Sequence, residues 1–431
     1  MKKRILVISW FFPPVNSSEG LVTYKLLNNS KLQYDVYTQN NDNSWAYKMS
    51  DDIKINVNIN RIYSDANNLD EFKLAALDFF EKNKDKYDVV MTRSMPEVDH
   101  EIGLEIKNIK NDIIWIASFG DPIAYNPFTI KSLNLKNPYS IDNRYERPMG
   151  FREIFSPKRF LKSKLFNHRI RKVKEQFIDK NIKLQKDILN TCDYVIYNSV
   201  NQKDYMLSSY QNKEELDKKT IILPHSFDSK LYHNFDNKND KIVFTYIGHL
   251  DTIRTPILLF HAIKELNELY PNLADLVEFN FYGNLSDQDK LYLINNYLLD
   301  IVHIKKNVTY LESLDIMSKS DWLLHVDANI SDIVPSNIFF AAKLADYLGA
   351  RKKIMGITML DGVSADILRK NNALVVSHSK DEIKNYLYLI LFENFNIVMN
   401  DKTFKEFDAV NVAKEFDKLM EKVGELNDNY K

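Results

Sequence analysis

The sequence predicts an α/β protein of two domains that face a cleft, each with a parallel sheet between layers of helices. Short apolar runs rich in β-branched residues alternate with longer helical patterns along the chain, which is typical of sheets buried on both faces. The 431 residues exceed what one hydrophobic core usually organises. A polar, turn-rich stretch at residues 232–240 separates two runs of the alternation. We therefore expect domains at residues 1–235 and 236–403, and a final helix at residues 404–431.

The first run opens with a strand at residues 4–10 and a loop from Asn16 to Gly20, in which Ser17 and Ser18 are also small. Strand, small-residue loop, helix and strand open a doubly wound domain, whose ligands bind beyond the carboxyl ends of the strands. Residues 126–152 lack periodicity and are predicted to be loop. The other predicted strands lie at residues 34–38, 87–93, 113–118, 194–198 and 220–224, and the helices at residues 21–29, 70–83, 96–109, 172–190 and from about 201.

The second run restarts the pattern and contains a segment with chemical interest, residues 334–358. This segment is predicted to be a loop, a helix beginning at Phe339, and a strand. The free N–H groups of a helix N-terminus attract an anion, and Lys343 and Asp346 lie on one face of this helix. The alternative is a core helix with solvated charges. The other predicted strands lie at residues 241–248, 277–282, 308–310, 322–326 and 373–376, and the helices at residues 256–269, 286–299 and one ending near 319.

Composition limits the classes of function. Apolar residues make up 45% of the chain and charged residues 27%, as in ordinary globular proteins. A net charge of −1 argues against a general nucleic-acid binder. The single cysteine, Cys192, excludes an intramolecular disulfide and a cysteine-rich zinc site, and it fits a reducing cytoplasm. Asp and His do not cluster with metal-ligand spacing, so no metal is expected. No apolar stretch approaches the roughly 18 residues that span a bilayer, so we expect a soluble or peripheral protein.

Residues 156–174 form the most biased stretch, with basic and apolar residues interleaved. This composition is typical of a basic amphipathic helix on an anionic membrane. The alternative is a solvated face packed on its own domain. Nucleic-acid binding is a poorer interpretation, because the net charge of the chain is near zero. The stretch and its flank contain Arg152, Lys158, Arg159, Phe160, Leu161, Lys162, Lys164, Leu165, Phe166, Arg169, Ile170, Arg171, Lys172, Val173 and Lys174.

Six segments in order resemble motifs of GT-B-fold glycosyltransferases of the family 4-like group, which use nucleotide-sugar donors. They are ILVISWFFPPVNSSEG, VVMTRSMPEVDHEIGLEIK with WIASFGDPIAYNP, IILPHSFDSKLYH, FTYIGHLDTIR, VTYLESLDIMSKSDWLLHVD and AAKLADYLGARKKIMGI. The resemblance implies two Rossmann-like domains, with the nucleotide on the C-terminal one and the last helix crossing back to the N-terminal one. It also implies transfer of a sugar to a cell-surface glycan or its lipid-linked precursor, without a metal and with retention of configuration. The nucleotide-sugar, linked to UDP or GDP, would be a substrate, so no cofactor is expected.

The chain departs from the family pattern at two places. Two glutamates are common in the last motif, and their positions correspond here to Ile338 and Asp346. A carboxylate at Asp346 is expected to accept hydrogen bonds from ribose, whereas the apolar side chain of Ile338 cannot accept hydrogen bonds from the hydroxyl groups of a sugar. In the first loop, Gly20 stands alone where two glycines are common, and the hydroxyl of Ser18 is expected to donate to a phosphate.

The departing diphosphate requires fixed cations and N–H dipoles. The candidates are Arg254, Lys343 and the N–H groups from Asn337 to Phe340. Arg254 precedes a helix, which is unfavourable for a cation unless an anion binds there; the alternative is a surface arginine. Gly248, followed by His249, lets the backbone pass close to the diphosphate, unless it is a simple turn glycine.

Asp121 follows a strand and is expected to contact the acceptor hydroxyl, as a base or as an orienting group. The alternative is an aspartate that caps its own turn before Pro122. His100 and His225 are expected to be structural. Two other functions stay open: a nucleotide-sugar 2-epimerase, which needs several acids and histidines around the sugar, and a non-catalytic GT-B protein that binds a glycan or a protein, which the missing glutamate favours.

Overall fold

The computed structural model describes residues 4–15, 17–40, 53–134, 156–233, 239–400 and 402–428. Asn16, Arg152 and the expected domain boundary at residues 235 and 236 lie outside the described residues. The described chain forms two parallel sheets of seven and six strands, with helices on both faces of each.

The strands follow the apolar runs of the sequence. Those of the N-terminal sheet are β1 (Ile5–Ile8), β2 (Tyr34–Gln39), β3 (Ile59–Ser64), β4 (Val89–Arg93), β5 (Ile114–Ser118), β6 (Tyr194–Tyr197) and β7 (Thr220–Ile222). Those of the C-terminal sheet are β8 (Ile242–Ile247), β9 (Val277–Tyr282), β10 (Val302–Lys305), β11 (Trp322–Val326), β12 (Lys353–Ile357) and β13 (Leu374–Val376).

The helices connect these strands. In the first half they are α1 (Ser18–Asn29), α2 (Leu69–Asn83), α3 (Val98–Ile109), α4 (Pro127–Asn134), α5 (Pro157–Thr191), α6 (Val200–Leu207) and α7 (Lys213–Asp217). In the second half they are α8 (Ile257–Leu269), α9 (Leu273–Leu276), α10 (Asp287–Asn295), α11 (Tyr310–Lys319), α12 (Ala342–Gly349), α13 (Val363–Lys370), α14 (Lys380–Phe392), α15 (Phe404–Phe407) and α16 (Ala409–Asp428).

Strand order places a crevice in each sheet. The orders are β3-β2-β1-β4-β5-β6-β7 and β10-β9-β8-β11-β12-β13. The direction of winding reverses beside β1 and beside β8, and ligands of open α/β sheets bind at the carboxyl ends of the strands next to such a reversal. Both crevices belong to the cleft described below.

The last helix, α16, lies on the N-terminal sheet. Its residues Val412, Phe416 and Met420 join the same buried cluster as Ile5 and Val7 of β1. The chain returns to this sheet through a pair of backbone hydrogen bonds, from Phe227 N–H to the carbonyl of Phe407 (2.9 Å) and from Ala409 N–H to the carbonyl of Phe227 (2.8 Å).

Four local predictions were wrong. Residues 308–310 are not a strand, because Thr309 caps α11 and forms a capping box with Glu312. Residues 126–152 are not all loop, since α4 lies within them, and α5 begins at Pro157 rather than near residue 172. The helix expected from Phe339 begins three residues later, at α12. Strands β3 and β10 were not predicted, because polar residues break their apolar runs.

Candidate functional site

A cavity of about 370 Å³ opens between the two sheets at their carboxyl edges. One wall residue comes from the first turn of α1, and the others end strands β8 and β9, follow strands β8, β9 and β10, or belong to α11. The lining residues are Ser18, Ile247, Gly248, His249, Tyr282, Asn284, Asn307, Val308, Thr309, Tyr310 and Ser313. Three predicted donor-site residues, Ser18, Gly248 and His249, therefore line one cavity.

Gly248 occupies a position that no other residue fits without strain. Its φ is +130°, and its N–H donates to the carbonyl of Tyr282 at 2.8 Å. A Cβ at Gly248 would lie 2.7 Å from Nζ of Lys343, and one at Gly283 would lie 2.1 Å from the Gly248 carbonyl oxygen. The two loops therefore cross in contact at the edge of the cavity, and Lys343 approaches the backbone there. Gly20, in contrast, is buried against the backbone of Phe11 and does not line the cavity.

Two cations meet beside this crossing. Nζ of Lys343 donates to the hydroxyl of Tyr246 and lies 4.3 Å from the centroid of its ring. Arg254 stacks on Phe128 at 5.2 Å, and its Nε is buried without a hydrogen-bond partner in the described part of the chain. Burial, with the charge of Arg254, lowers the pKa of Lys343 well below its usual value. An anion between the two side chains would relieve both conditions.

A buried carboxylate, that of Asp327, lies within electrostatic range of both cations. Asp327 follows β11 and accepts from Nδ2 of Asn337 (2.9 Å) and from Oγ1 of Thr358 (2.9 Å), and Nε2 of His325 lies 3.1 Å away. Burial alone would raise the pKa of Asp327, but His325 and then Arg254 outweigh burial and lower it. Sequence reasoning missed Asp327, whose only signal was its place at the carboxyl end of a strand.

The expected N–H groups from Asn337 to Phe340 do not form a free helix N-terminus. The N–H of Asn337 donates to the carbonyl of Asp361 (2.9 Å), and that of Phe339 donates to Oδ1 of Asn337 (2.9 Å). Ile338 is only 3% exposed. None of the three lines the cavity, because the segment is paired with the start of α13 instead.

Asp346 does not reach the cavity either. Its Oδ1 lies 2.7 Å from Nζ of Lys25 on α1, and the hydroxyl of Tyr310 donates to the same oxygen at 3.0 Å. Tyr310 lines the cavity and stands in front of the carboxylate, which is 5% exposed as a residue. The expected ribose contact is thus replaced here by a buried ion pair between the two halves of the chain.

The N-terminal wall of the cleft carries Asp121 with a second carboxylate that sequence reasoning did not single out, Glu19. Arg93, at the end of β4, donates from Nε to Oε2 of Glu19 at 2.6 Å and from Nη1 to Ser118 Oγ at 3.0 Å. Burial raises the pKa of Asp121 to about 7; the charge of Glu19 adds to this effect, and Arg93 and Arg254 oppose it. Asp121 therefore lies within electrostatic range of cations from both sheets.

Buried amide side chains fix the loop that carries Asp121. The carbonyl just before Asp121 accepts from Nδ2 of Asn198 (2.8 Å) and from Nε2 of Gln202 (2.9 Å). Oε1 of Gln185, on α5, accepts the backbone N–H groups of the second and third residues after Asp121, at 3.0 and 2.9 Å. A carboxyl group held in this way is preorganised for contact with a ligand.

Two of the predicted structural histidines are buried. The pKa of His100 is lowered to about 3 by burial and then by Arg93, and its Nδ1 pairs with Thr92 Oγ1 at 2.6 Å. The ring of His225 stacks on Phe340 from the other half, with centroids 5.3 Å apart. His225 therefore packs against the C-terminal half of the chain through Phe340.

The basic stretch lies on the first half of α5. Leu161 and Leu165 are 59% and 54% exposed, whereas Phe160 and Phe166 are half-buried. Leu161 and Leu165, together with Val173 (61% exposed) and not these two aromatics, therefore form the apolar part of the exposed surface. The exposed basic residues around them are Lys158, Arg159, Lys162, Lys164, Arg169 and Arg171. Within the described ranges, no helix has the length and apolarity to cross a bilayer.

No family model matches the sequence, and no curated protein matches it. Three solved structures resemble it in fold. Sucrose-phosphate synthase from Thermosynechococcus elongatus aligns with a TM-score of 0.65 at 12% identity, over 98% of this chain and 100% of the synthase. The lipopolysaccharide outer core galactosyltransferase WaaB aligns with a TM-score of 0.55 at 10% identity, over 97% and 99%. A UDP-GlcNAc 2-epimerase from Neisseria meningitidis, bound to UDP-GlcNAc, aligns with a TM-score of 0.52 at 12% identity, over 97% and 100%.

These similarities extend over nearly the whole described chain and over the whole of each neighbour. At such identities they establish the fold and not the activity. The prediction of two Rossmann-like domains facing a cleft is confirmed, and the protein has the GT-B fold of nucleotide-sugar-using glycosyltransferases and 2-epimerases.

Proposed function

We propose that the protein is a glycosyltransferase that moves a sugar from a nucleotide-sugar to a glycan or a lipid-linked glycan precursor. The observation that carries the proposal is the pair of cations, Arg254 and Lys343, at the edge of a nucleotide-sized cavity. Arg254 Nε is buried without a partner in the described residues, and Lys343 contacts the loop crossing at Gly248. Both features suit a diphosphate that bridges the two side chains.

The chemistry follows from where charge develops. Transfer breaks the bond between the anomeric carbon and the diphosphate oxygen, and the negative charge on that oxygen grows in the transition state. Arg254 and Lys343 stabilise this charge, so two side chains do the work that a metal ion does in other enzymes. Asp121, on the facing wall, orients the acceptor hydroxyl and takes its proton. A base on the wall opposite the diphosphate favours inversion, whereas the family resemblance implies retention, and the anomeric configuration of the product distinguishes the two.

The named neighbours support a nucleotide-sugar as the donor. The Neisseria structure holds UDP-GlcNAc, and two of the neighbours are named as a synthase of sucrose phosphate and a galactosyltransferase. The exposed leucines among the basic residues of α5 support binding to an anionic membrane surface, where a lipid-linked acceptor would be found. We accordingly propose a cytoplasmic enzyme that works at the membrane.

Nucleotide binding and turnover test this function. Thermal shift with UDP, GDP, UDP-glucose, UDP-GlcNAc and GDP-mannose should show stabilisation by at least one of them. Nucleotide release from the bound sugar donor should fall by about 10²-fold or more in Arg254→Ala and in Lys343→Ala. Arg369→Ala, on the exposed face of α13, is the matched control and should retain activity. Absence of any thermal shift would remove the enzyme proposal, and undiminished release in both variants would remove the phosphate assignment.

A 2-epimerase is the second candidate, favoured by the fold shared with the Neisseria enzyme and by the buried pair of His325 and Asp327 near Arg254. An epimerase would convert UDP-GlcNAc to its C2 epimer with no acceptor present. NMR of the nucleotide-sugar pool separates the two: an epimer without acceptor supports the epimerase, and acceptor-dependent release of nucleotide supports the transferase. A nucleotide-binding protein with neither activity would fit the non-catalytic alternative.

A further inference from the structure

We propose that Glu19, together with Asp121, forms an acceptor subsite that selects the neutral, hydroxyl-bearing end of a glycan over an acidic sugar. The proposal rests on the proposed function, since it concerns the acceptor side of the same cleft. It assigns a role to Glu19, which neither the motifs nor the cavity lining single out.

In the ion pair of Glu19 and Arg93, the arginine is the more deeply buried member. The side chain of Arg93 is 5% exposed and that of Glu19 is 16% exposed, so the carboxylate is the more exposed member of the pair. Arg93 is used on several sides: Nε bonds Glu19, Nη1 bonds Ser118, and Nη2 lies 3.4 Å from Nε2 of His225. The guanidinium therefore holds Glu19 in place and has little capacity to bind a ligand of its own, which makes Arg93 a positioning residue.

Glu19 lies between the donor cavity and Asp121. Its chain neighbour Ser18 lines the cavity. On the other side, the carboxylate contacts the backbone just before Asp121: a Cβ at Gly120 would lie 2.7 Å from Oε1 and 2.8 Å from Oε2 of Glu19. Since Oε2 receives the bond from Arg93, Oε1 is the oxygen that remains to accept from a hydroxyl group. This oxygen lies beside the loop that carries Asp121.

The cleft is thereby divided by charge. The wall from the C-terminal sheet presents Arg254 and Lys343, which suit the diphosphate of a donor. The wall from the N-terminal sheet presents the carboxylates of Glu19 and Asp121, which suit hydroxyl groups because carboxylates only accept hydrogen bonds when ionised. Above a pH of about 7, where Asp121 is ionised, its charge would repel a carboxylate or phosphate on the acceptor, and Glu19, paired with Arg93 behind it, would offer such a group no hydrogen-bond donor.

The competing explanation is that Glu19 only ties the first turn of α1 to β4. Such a tie would affect folding, or donor and acceptor alike. A hydroxyl-binding carboxylate would instead affect the acceptor alone, and its neutral isostere would relax the exclusion of acidic acceptors. A purely structural role of Glu19 would leave the ratio of activities toward neutral and acidic sugars unchanged, so this ratio distinguishes the two explanations.

The experiment uses the full chain with the best of the donors UDP-glucose, UDP-GlcNAc and GDP-mannose. Acceptors are offered in matched pairs, methyl glucoside with methyl glucuronide and methyl galactoside with methyl galacturonide. Acceptor-dependent nucleotide release is measured for the wild type, Glu19→Gln and the exposed control Glu105→Gln. If turnover is too slow, saturation-transfer NMR measures binding of the same glycosides to the nucleotide-loaded protein. Glu19→Gln keeps an oxygen for Arg93, and thermal melting verifies its fold.

We expect the wild type to prefer the neutral member of each pair. In Glu19→Gln the KM for the neutral acceptor should rise roughly tenfold to hundredfold, as for a lost hydrogen bond to a charged group. The preference over the acidic partner should shrink, and the donor KM should change far less than the acceptor KM. A wild-type preference for acidic sugars, or a Glu19→Gln effect on the donor alone, overturns the subsite. If the wild type binds no nucleotide, the proposed function is overturned instead, so the two failures are distinguishable.

Discussion

Replacement of Lys25 by Met should open the cleft. Lys25 is the cation of the buried pair that joins α1 to α12, with Nζ 2.7 Å from Oδ1 of Asp346 and side chains that are 0% and 8% exposed. Its removal leaves the carboxylate buried with two tyrosine hydroxyls as its remaining donors, those of Tyr310 at 3.0 Å and Tyr232 at 3.5 Å from Oδ1. Because the two residues belong to different halves of the chain, separation of the halves would let water reach the carboxylate.

The size of the effect follows from two opposing terms. At 2.7 Å and an effective dielectric constant near 20, attraction between unit charges is about 6 kcal/mol. Desolvation of two buried ions costs several kcal/mol each, so the intact pair contributes little net stability. Loss of one partner is different, since it leaves an unpaired buried charge and costs about 3–5 kcal/mol. Even 3 kcal/mol would move an equilibrium between closed and open forms by more than about a hundredfold.

The assay is small-angle X-ray scattering with thermal melting of four proteins. Lys25→Met should increase the radius of gyration or lower the melting temperature. The double variant Lys25→Met with Asp346→Asn should recover most of the loss, because the amide oxygen still accepts from Tyr310. The control Lys131→Met breaks another ion pair between the halves, whose acid, Asp332, is 64% exposed, and should cost at most about 1 kcal/mol. A single variant at Lys25 that is as closed and as stable as the wild type would refute the reasoning.

Four further predictions concern the loop of Asp121 and helix α5. Turnover should rise with pH through about 7, because Asp121 acts as a base only when ionised; Asp121→Asn should lower turnover about 10²-fold or more and abolish this rise. The raised pKa in the folded state also means that ionisation of Asp121 costs stability as the pH increases from about 4 to 7, so Asp121→Asn should gain stability over the wild type at pH 8 and not at pH 4, measured by urea unfolding. Gln185→Leu leaves two buried N–H groups unpaired, at about 1–3 kcal/mol each, and should lower the melting temperature and kcat with little change in donor KM; an unaltered melting temperature would contradict the loop account. Leu161→Ser with Leu165→Ser should weaken binding to phosphatidylglycerol vesicles about tenfold, whereas the control Leu276→Ser on the other half should not, and equal binding by all would remove the membrane proposal.

Sequence patterns predicted a strand well where most of its side chains are buried. Strands β9 and β11 begin and end where the apolar runs do, because both are buried between helices. Strand β3 lies at the edge of its sheet, so Asn60 and Arg61 are tolerated within it and hide its pattern. At residues 308–310 the β-branched side chains favoured a strand, but the capping box of Thr309 and Glu312 favours a helix start, and that local pairing prevails.

The candidate site was predicted in part, and the misses have a common cause. Gly248, His249 and Ser18 line the cavity because they follow strands or begin helices at the expected edge. The partner of Asp346 is 321 residues away in the sequence, so no local spacing could reveal that this carboxylate is neutralised by Lys25. The same holds for Glu19, whose ion-pair partner Arg93 comes from a strand 74 residues later.

The buried pair of Lys25 and Asp346 links the donor cavity to the acceptor wall through one helix. Helix α1 carries Ser18 on the cavity, Glu19 on the acceptor wall and Lys25 in the pair, within two turns of backbone. A rigid helix of this length cannot move one of these residues without the others. Separation of Lys25 from Asp346 would therefore move Ser18 and Glu19, with the rest of the N-terminal half, away from the donor cavity of the C-terminal half. Closure of the two halves thus brings Ser18 to the donor cavity and the carboxylates of Glu19 and Asp121 opposite Arg254 and Lys343 in a single step.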